Sequence, residues 1–169
     1  MKSVQSILVD AKHWQIFILL FLAHAGMFLI TQIAYLAVAM MLHLLCFIAW
    51  YWSIGSLFVS LMKPPLRMKL GRFHFALVYP LLYFPLFFSS ALWSGPLLAV
   101  IIPLHLIGML CMFYLLNFVS KGLVMVETGT VPSFFDYAGP FFLFWFYPVG
   151  IWYLQPRINR LHAVRAAQH

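Results

Sequence analysis

From Trp14 to Met62 the chain carries no Asp, Glu, Lys or Arg. A helix needs about 20 apolar residues to cross the hydrocarbon of a bilayer. This run is too long for one crossing, and Thr31-Gln32 is its only polar pair. A turn there divides it into one span near 14–30 and a second near 33–54. Ser53, Gly55 and Ser56 mark the expected frayed end of the second span. The short apolar core IFILLFL, with Ala23-His24-Ala25 behind it, has the outline of a signal peptide. The leader is long, contains Asp10, and the apolar run continues past the small residues, so an uncleaved first span is expected.

The rest of the chain follows the same logic. MKPPLRMKLGR, residues 62–72, joins two prolines to four basic residues. Proline disfavours helix and buried charge disfavours the bilayer core, so this is a surface loop. A third span is expected near 73–92, kinked by Pro80 and Pro85. Ser94-Gly95-Pro96 turns the chain, and a fourth span runs near 97–120. The polar stretch from Lys121 to Ser133 leaves the membrane. Ser133 and Asp136 have capping-box spacing, so a helix starts at about Phe134. Over the full 169 residues, 65% are hydrophobic and 8% charged. A soluble domain of this size leaves too much surface in water for such a composition. Because lipid offers the backbone no hydrogen-bonding partner, the spans are helical. The expected fold is therefore all-α: a single polytopic membrane bundle of four transmembrane helices over residues 1–169, with an embedded segment near 134–154.

That last segment is either re-entrant or a fifth span. Tyr137 to Leu154 is apolar all round and about 18 residues long, just enough to cross. Pro148 and Gly150 interrupt it. The net charge is +7, and loops rich in Lys and Arg prefer the cytoplasmic side. With the N-terminus inside, Lys2, Lys12, Lys63, Arg67, Lys69, Arg72 and Lys121 are all cytoplasmic. Arg157, Arg160 and Arg165 join them if the segment dips and returns, and lie outside if it spans. The charge rule favours return, with both termini cytoplasmic. Non-helical backbone at depth must then be sheltered by protein, so the tip at Pro148 to Gly150 is expected to lie against the other helices. Asp136 and Arg157 would share one side and are a candidate structural pair. Trp14, Trp50, Tyr51, Trp52 and Trp93 are placed for an interfacial aromatic belt.

Few residues could carry chemistry. Asp10, Glu127 and Asp136 are the three acids, none close to another in sequence, and no catalytic residue is assigned. Cys46 and Cys111 lie in apolar runs without CxxC spacing and read as packing residues; no metal site is assigned. The histidines are more informative. At 1.5 Å per residue, His24 and His43 lie about 15 Å into their spans and His105 about 12 Å, which brings all three near the bilayer centre. Intramembrane ionisable groups suggest a function. His24, His43 and His105 are thus candidate cofactor-binding residues, with haem b as the alternative to no cofactor, although a neutral histidine can also simply bond across helices. Asn117 and Ser120 lie one turn apart and are expected to cap or contact a neighbouring helix, and Gly108 would allow close approach.

IIPLHLIGMLCMFYLLNFVSK, followed by SFFDYAGPFFLFWFYPVGIWYLQPRINRL, resembles a group of small, uncharacterised bacterial integral membrane proteins; HWQIFILLF and WSIG are similar as well. The resemblance implies a shared fold in the bacterial cytoplasmic membrane and brings no activity with it. Three functions are compatible with the residues. The first, which the few ionisable groups and abundant aromatics favour over the other two, is a non-enzymatic accessory or scaffolding component acting through lateral contacts with other membrane proteins or with copies of itself. The second is a haem-binding or redox protein. The third is a small transporter or lipid-handling protein, which requires a cavity near the third span. The lipid bilayer is the expected partner, nucleic acid is not, and enzymatic activity is left open with the residues leaning against it.

Overall fold

The structure is a computed structural model that describes residues 4–29, 33–90 and 98–166, with side chains over 4–22, 37–87 and 99–164. Among these residues it is all-helical: α1 (Val4–Asp10), α2 (His13–Leu29), α3 (Ile33–Leu61), α4 (Leu70–Ser90), α5 (Leu98–Thr128), α6 (Phe134–Trp145) and α7 (Tyr147–Ala166). Three helices are long and apolar enough to cross a membrane, over Ala37–Leu61, Leu70–Phe87 and Ala99–Thr128; the side chains described for α2 form a shorter apolar stretch, His13–Leu22. The expected turns at Thr31-Gln32 and Ser94-Gly95-Pro96, and Trp93, lie outside the described residues.

α3 is the central helix, packed on α1, α2, α4, α5 and α7. It does not end near residue 54 as expected but continues to Leu61. The Ser53 hydroxyl turns back to the Ala49 carbonyl at 2.7 Å, an internal bond that leaves the helix intact. Gly55 is a packing residue: a Cβ there would strike the Phe73 ring of α4. α5 likewise runs past residue 120 to Thr128. Leu123, Val124 and Met125 are buried there, while Glu127 and Thr128 at the helix end are exposed.

α6 and α7 form a helical hairpin. α6 runs antiparallel to α5, with Tyr137 bonded to Asn117 and the Trp145 ring 4.7 Å from that of Phe113. The chain breaks at Phe146, and α7 returns along α6, packed on α2 and α1 and touching α3, to the end of the bundle where α5 finished. Arg157 there grips Glu127, near the end of α5. The break follows from Pro148. In a continuous helix its N–H would satisfy the Phe144 carbonyl, and proline has none. The Tyr51 hydroxyl donates to that carbonyl instead, at 3.3 Å. Proline is tolerated in the first turn of α7, where no intrahelical partner is needed. Gly150 allows the return: any Cβ would overlap the Leu143 carbonyl oxygen. The N–H groups of Phe146, Val149 and Gly150 are bonded to carbonyls within the corner at 2.8–3.0 Å.

The expected shelter of the tip is partial. Phe144, Gly150 and Ile151 are buried, whereas Phe146 and Val149 are 60% and 62% exposed. Three N–H groups of the corner find carbonyls within it and Tyr51 meets the Phe144 carbonyl, while those two side chains face outward.

Candidate functional site

Two features depend on the hairpin: a polar lock at its open end and a cleft at its tip. The lock is centred on Gln155, which is fully buried. Its Oε1 accepts from Trp50 Nε1 at 3.2 Å. Its amide nitrogen faces the carbonyls of Leu8, Val9 and Ala11 at 3.0–3.3 Å and Asn159 Oδ1 at 3.0 Å. These carbonyls close the C-terminus of α1, where a helix has no internal donors left. Asn159, one turn on, adds a bond to Ala11 O at 3.2 Å. α1 is thereby tied to α7, and Gln5 ties it to the Ser53 carbonyl of α3. Outside this node, His162 Nδ1 lies 2.6 Å from Asp10 Oδ1. The guanidinium of Arg157 takes both oxygens of Glu127, Nε to Oε1 at 2.9 Å. A planar fork of this kind fixes direction as well as distance.

The expected pair of Asp136 with Arg157 is not formed. Both residues lie at the same end, but α7 passes the end of α5, so Arg157 meets Glu127 first. Asp136 is committed to its own helix start: the Ser133 N–H and hydroxyl both donate to its Oδ2 at 2.8 Å. These bonds hold the Asp136 carboxyl below the ordinary carboxylate range. Asn117 does contact a neighbouring helix as expected, donating to Tyr137 Oη at 3.0 Å. Ser120 bonds back to Leu116 O, within its own helix.

The cleft has a volume of about 460 Å³ and lies between α3, α4, α5 and the hairpin tip. His43 and His105, chosen by depth alone, both line it. The side chain of His24, the third candidate, lies outside the described residues. His43 Nδ1 sits 3.3 Å from the Leu20 carbonyl. A carbonyl only accepts, so in the neutral ring the proton is on Nδ1, and Nε2 accepts from the Tyr147 hydroxyl at 3.4 Å. His105 Nδ1 lies 3.2 Å from Tyr83 Oη, and its ring stacks on Phe87 with centroids 5.3 Å apart. Gly108 lines the same wall, where an added Cβ would be in ordinary contact, 3.7 Å from the Tyr79 and Tyr83 rings. The remaining walls are apolar, including Phe47, Pro80, Met112 and Phe144. Met109, Phe113 and Trp145, also lining residues, are 39–46% exposed, so the cleft opens on the apolar outer face of the bundle. Among the described residues no Asp, Glu, Lys or Arg lines it. Cys46, which shares a helix face with His43, is not among its lining residues, and the described residues contain no group of three or more His, Cys, Asp or Glu placed to hold a metal.

Tyr83, Tyr147 and Gln155 were not singled out by sequence. The signal for Tyr147 was its place beside Pro148; for Gln155 it was the Gln155/Asn159 spacing of one helical turn in an apolar segment. Comparison with family models, curated proteins and solved structures finds no match.

Proposed function

We propose that this is a four-span protein of a bacterial cytoplasmic membrane with both termini cytoplasmic, in which α6 and α7 re-enter without crossing. Its cleft is proposed to receive a lipid-soluble small molecule, the lipid-handling alternative among the functions its residues allow. The observation that carries the reading is the placement of His43 and His105 in one apolar hollow beside the proline-bearing helix α4. A protein acting only through lateral contacts has no need of such a hollow, so the scaffolding reading ranks second.

The lining selects the occupant. Without a cation or anion in the wall, a charged headgroup has no counter-ion. Imidazole and phenol groups in an aromatic wall suit a neutral ring bearing oxygen acceptors or hydroxyls, the chemistry of a quinone or its quinol. Haem remains the competing ligand, because a ring nitrogen can ligate iron. For His43 this would mean giving up the bond to Tyr147.

The test is purification in mild detergent, with mass spectrometry of co-purifying small molecules, an optical spectrum and titration with a short-chain quinone. Wild type should bind, and His105→Ala and Tyr83→Phe should each weaken binding about tenfold, the equivalent of ~1.4 kcal/mol. A Soret band would move the assignment to haem. Absence of any bound molecule, with quinone affinity equal in wild type and variants, would overturn the ligand-binding reading. A C-terminal topology reporter tests re-entry separately: an external signal would replace it with five spans.

A further inference from the structure

A second hollow, of about 350 Å³, lies away from the cleft, between the start of α4 and the later turns of α5. Lys69 and Arg72 line it from one helix and Lys121 from the other, together with Tyr114, Asn117 and Phe118. Lys69 immediately precedes α4, and Arg72 is in its first turn. A helix N-terminus is already partly positive and normally attracts acidic residues. Here the first turn has none. The three cations thus line one hollow beside a helix end that carries no acidic residue.

Among the described residues no acidic side chain neutralises them. The chain has three acidic side chains. Asp10 lies against His162, Glu127 holds Arg157, and Asp136 is bonded to Ser133; none lines the hollow. Among the described residues, Lys69, Arg72 and Lys121 have no ion pair. The floor is different in kind: Phe118 is buried there and stacked on Phe73 at 4.3 Å. Asn117 spends one amide proton on Tyr137 and keeps a second.

We infer that this hollow is a phosphate-binding site, with Lys69, Arg72 and Lys121 supplying charge, Asn117 a neutral donor, and Phe118 an apolar base. A phosphate ester matches three converging donors and a helix N-terminus together. Its source is either the headgroup of an anionic phospholipid or a soluble phosphate, and the chemistry recognised is the same. The site does not depend on what occupies the histidine-lined cleft.

The experiment uses the full chain in neutral detergent. Native mass spectrometry and thermal shift are followed on adding phosphatidylglycerol, phosphatidylcholine or inorganic phosphate, for wild type, Arg72→Gln/Lys121→Gln and the control Lys12→Gln. Wild type and the control should prefer phosphatidylglycerol over phosphatidylcholine about tenfold, and the double variant should lose that preference. The double variant without ligand should melt no lower than wild type, because it breaks no ion pair among the described residues. If inorganic phosphate stabilises wild type alone, and competes with the lipid, the source is soluble phosphate. If it does neither, the source is the lipid headgroup. Equal binding of both lipids to wild type, without stabilisation by phosphate, would overturn the proposal, as would a double variant that binds like wild type.

Discussion

At the end of the bundle where α3 and α5 finish, Trp50, Tyr51, Ile54, Leu57 and Phe58 are sealed against Leu115, Val119 and Leu123. Further back along the same two helices, Leu42, Leu45, Leu106 and Leu110 face outward and the histidine-lined cleft lies between the helices. The residue types are alike in both regions. In lipid an outward leucine costs nothing, so apolar character alone cannot decide which half closes. Both halves have long-range polar contacts, but the closed half has more of them: Gln155 on Trp50 and α1, Tyr51 on the Phe144 carbonyl and Arg157 on Glu127, against the His43–Tyr147 contact at 3.4 Å in the cleft. All of these reach the hairpin. The open half is bordered only by the hairpin's tip.

The comparison predicts that changes in the hairpin lock damage the fold, while changes in the cleft damage binding. The largest effect is expected from Gly150→Leu. The clash is with the Leu143 backbone, which cannot rotate away as a side chain would. Overpacking costs typically 1–3 kcal/mol, and this site should reach the upper end, about 3 kcal/mol. A fall in thermal midpoint no greater than that of Gly139→Leu, where an added Cβ meets nothing within 4 Å, would break the account of the corner.

Next comes Gln155→Leu. The replacement fills much of the space but strands the Trp50 N–H and removes the donor facing the α1 carbonyls. A buried group left unpaired costs about 1–3 kcal/mol. Removing the other partner tests the cause: in Trp50→Phe/Gln155→Leu the loss should be less than the sum of the two single losses. Strict additivity would show that Gln155 acts through shape alone.

In the cleft, Gly108→Leu should do the reverse. Its Cβ fits at ordinary contact distance and the remainder projects toward the hollow. The thermal midpoint should change by less than ~0.5 kcal/mol equivalent, since the packed half is untouched. Affinity for the quinone probe should fall at least about tenfold. A large loss of stability with binding retained would invert the comparison.

Glu127→Gln should have a modest effect on stability. The two side chains are 27% and 29% exposed, so water and salt screen the pair and its contribution should stay near or below ~1 kcal/mol. The destabilisation should shrink in high salt, and Glu127→Arg/Arg157→Glu should recover most of it. Persistence of the full loss in salt would mean the residue matters through packing.

The order of these effects parallels what could be read from sequence. The helices, the basic loop, the helix start at Phe134 and the break near Pro148 each come from local chemistry. Depth along a span is also local, and it brought His43 and His105 to one level. What could not be read was direction around the helix axis. A span apolar on every face has no periodic stripe to show which side meets which neighbour. Hence Tyr83, Tyr147 and Glu127 were not identified as partners, and Arg157 was assigned to the wrong acid. α1 was missed because seven residues give little pattern and its closing groups, Gln155 and Asn159, lie at the other end of the chain.

Asp136→Asn should have the smallest effect and the clearest pH signature. The carboxyl is fully exposed, and the two bonds from Ser133 stabilise its ionised form, which lowers its proton affinity in the folded state. A group depressed in this way contributes stability above its ordinary value of 3.8, and the contribution fades as pH falls through the lower folded value. The difference in thermal midpoint between wild type and Asp136→Asn should therefore be constant at neutral pH and close toward zero in acid. Arg157 provides the contrast: if it shared Asp136 as well as Glu127, Arg157→Gln would lessen that acid-dependent difference, whereas a carboxylate bonded only to Ser133 leaves it unchanged.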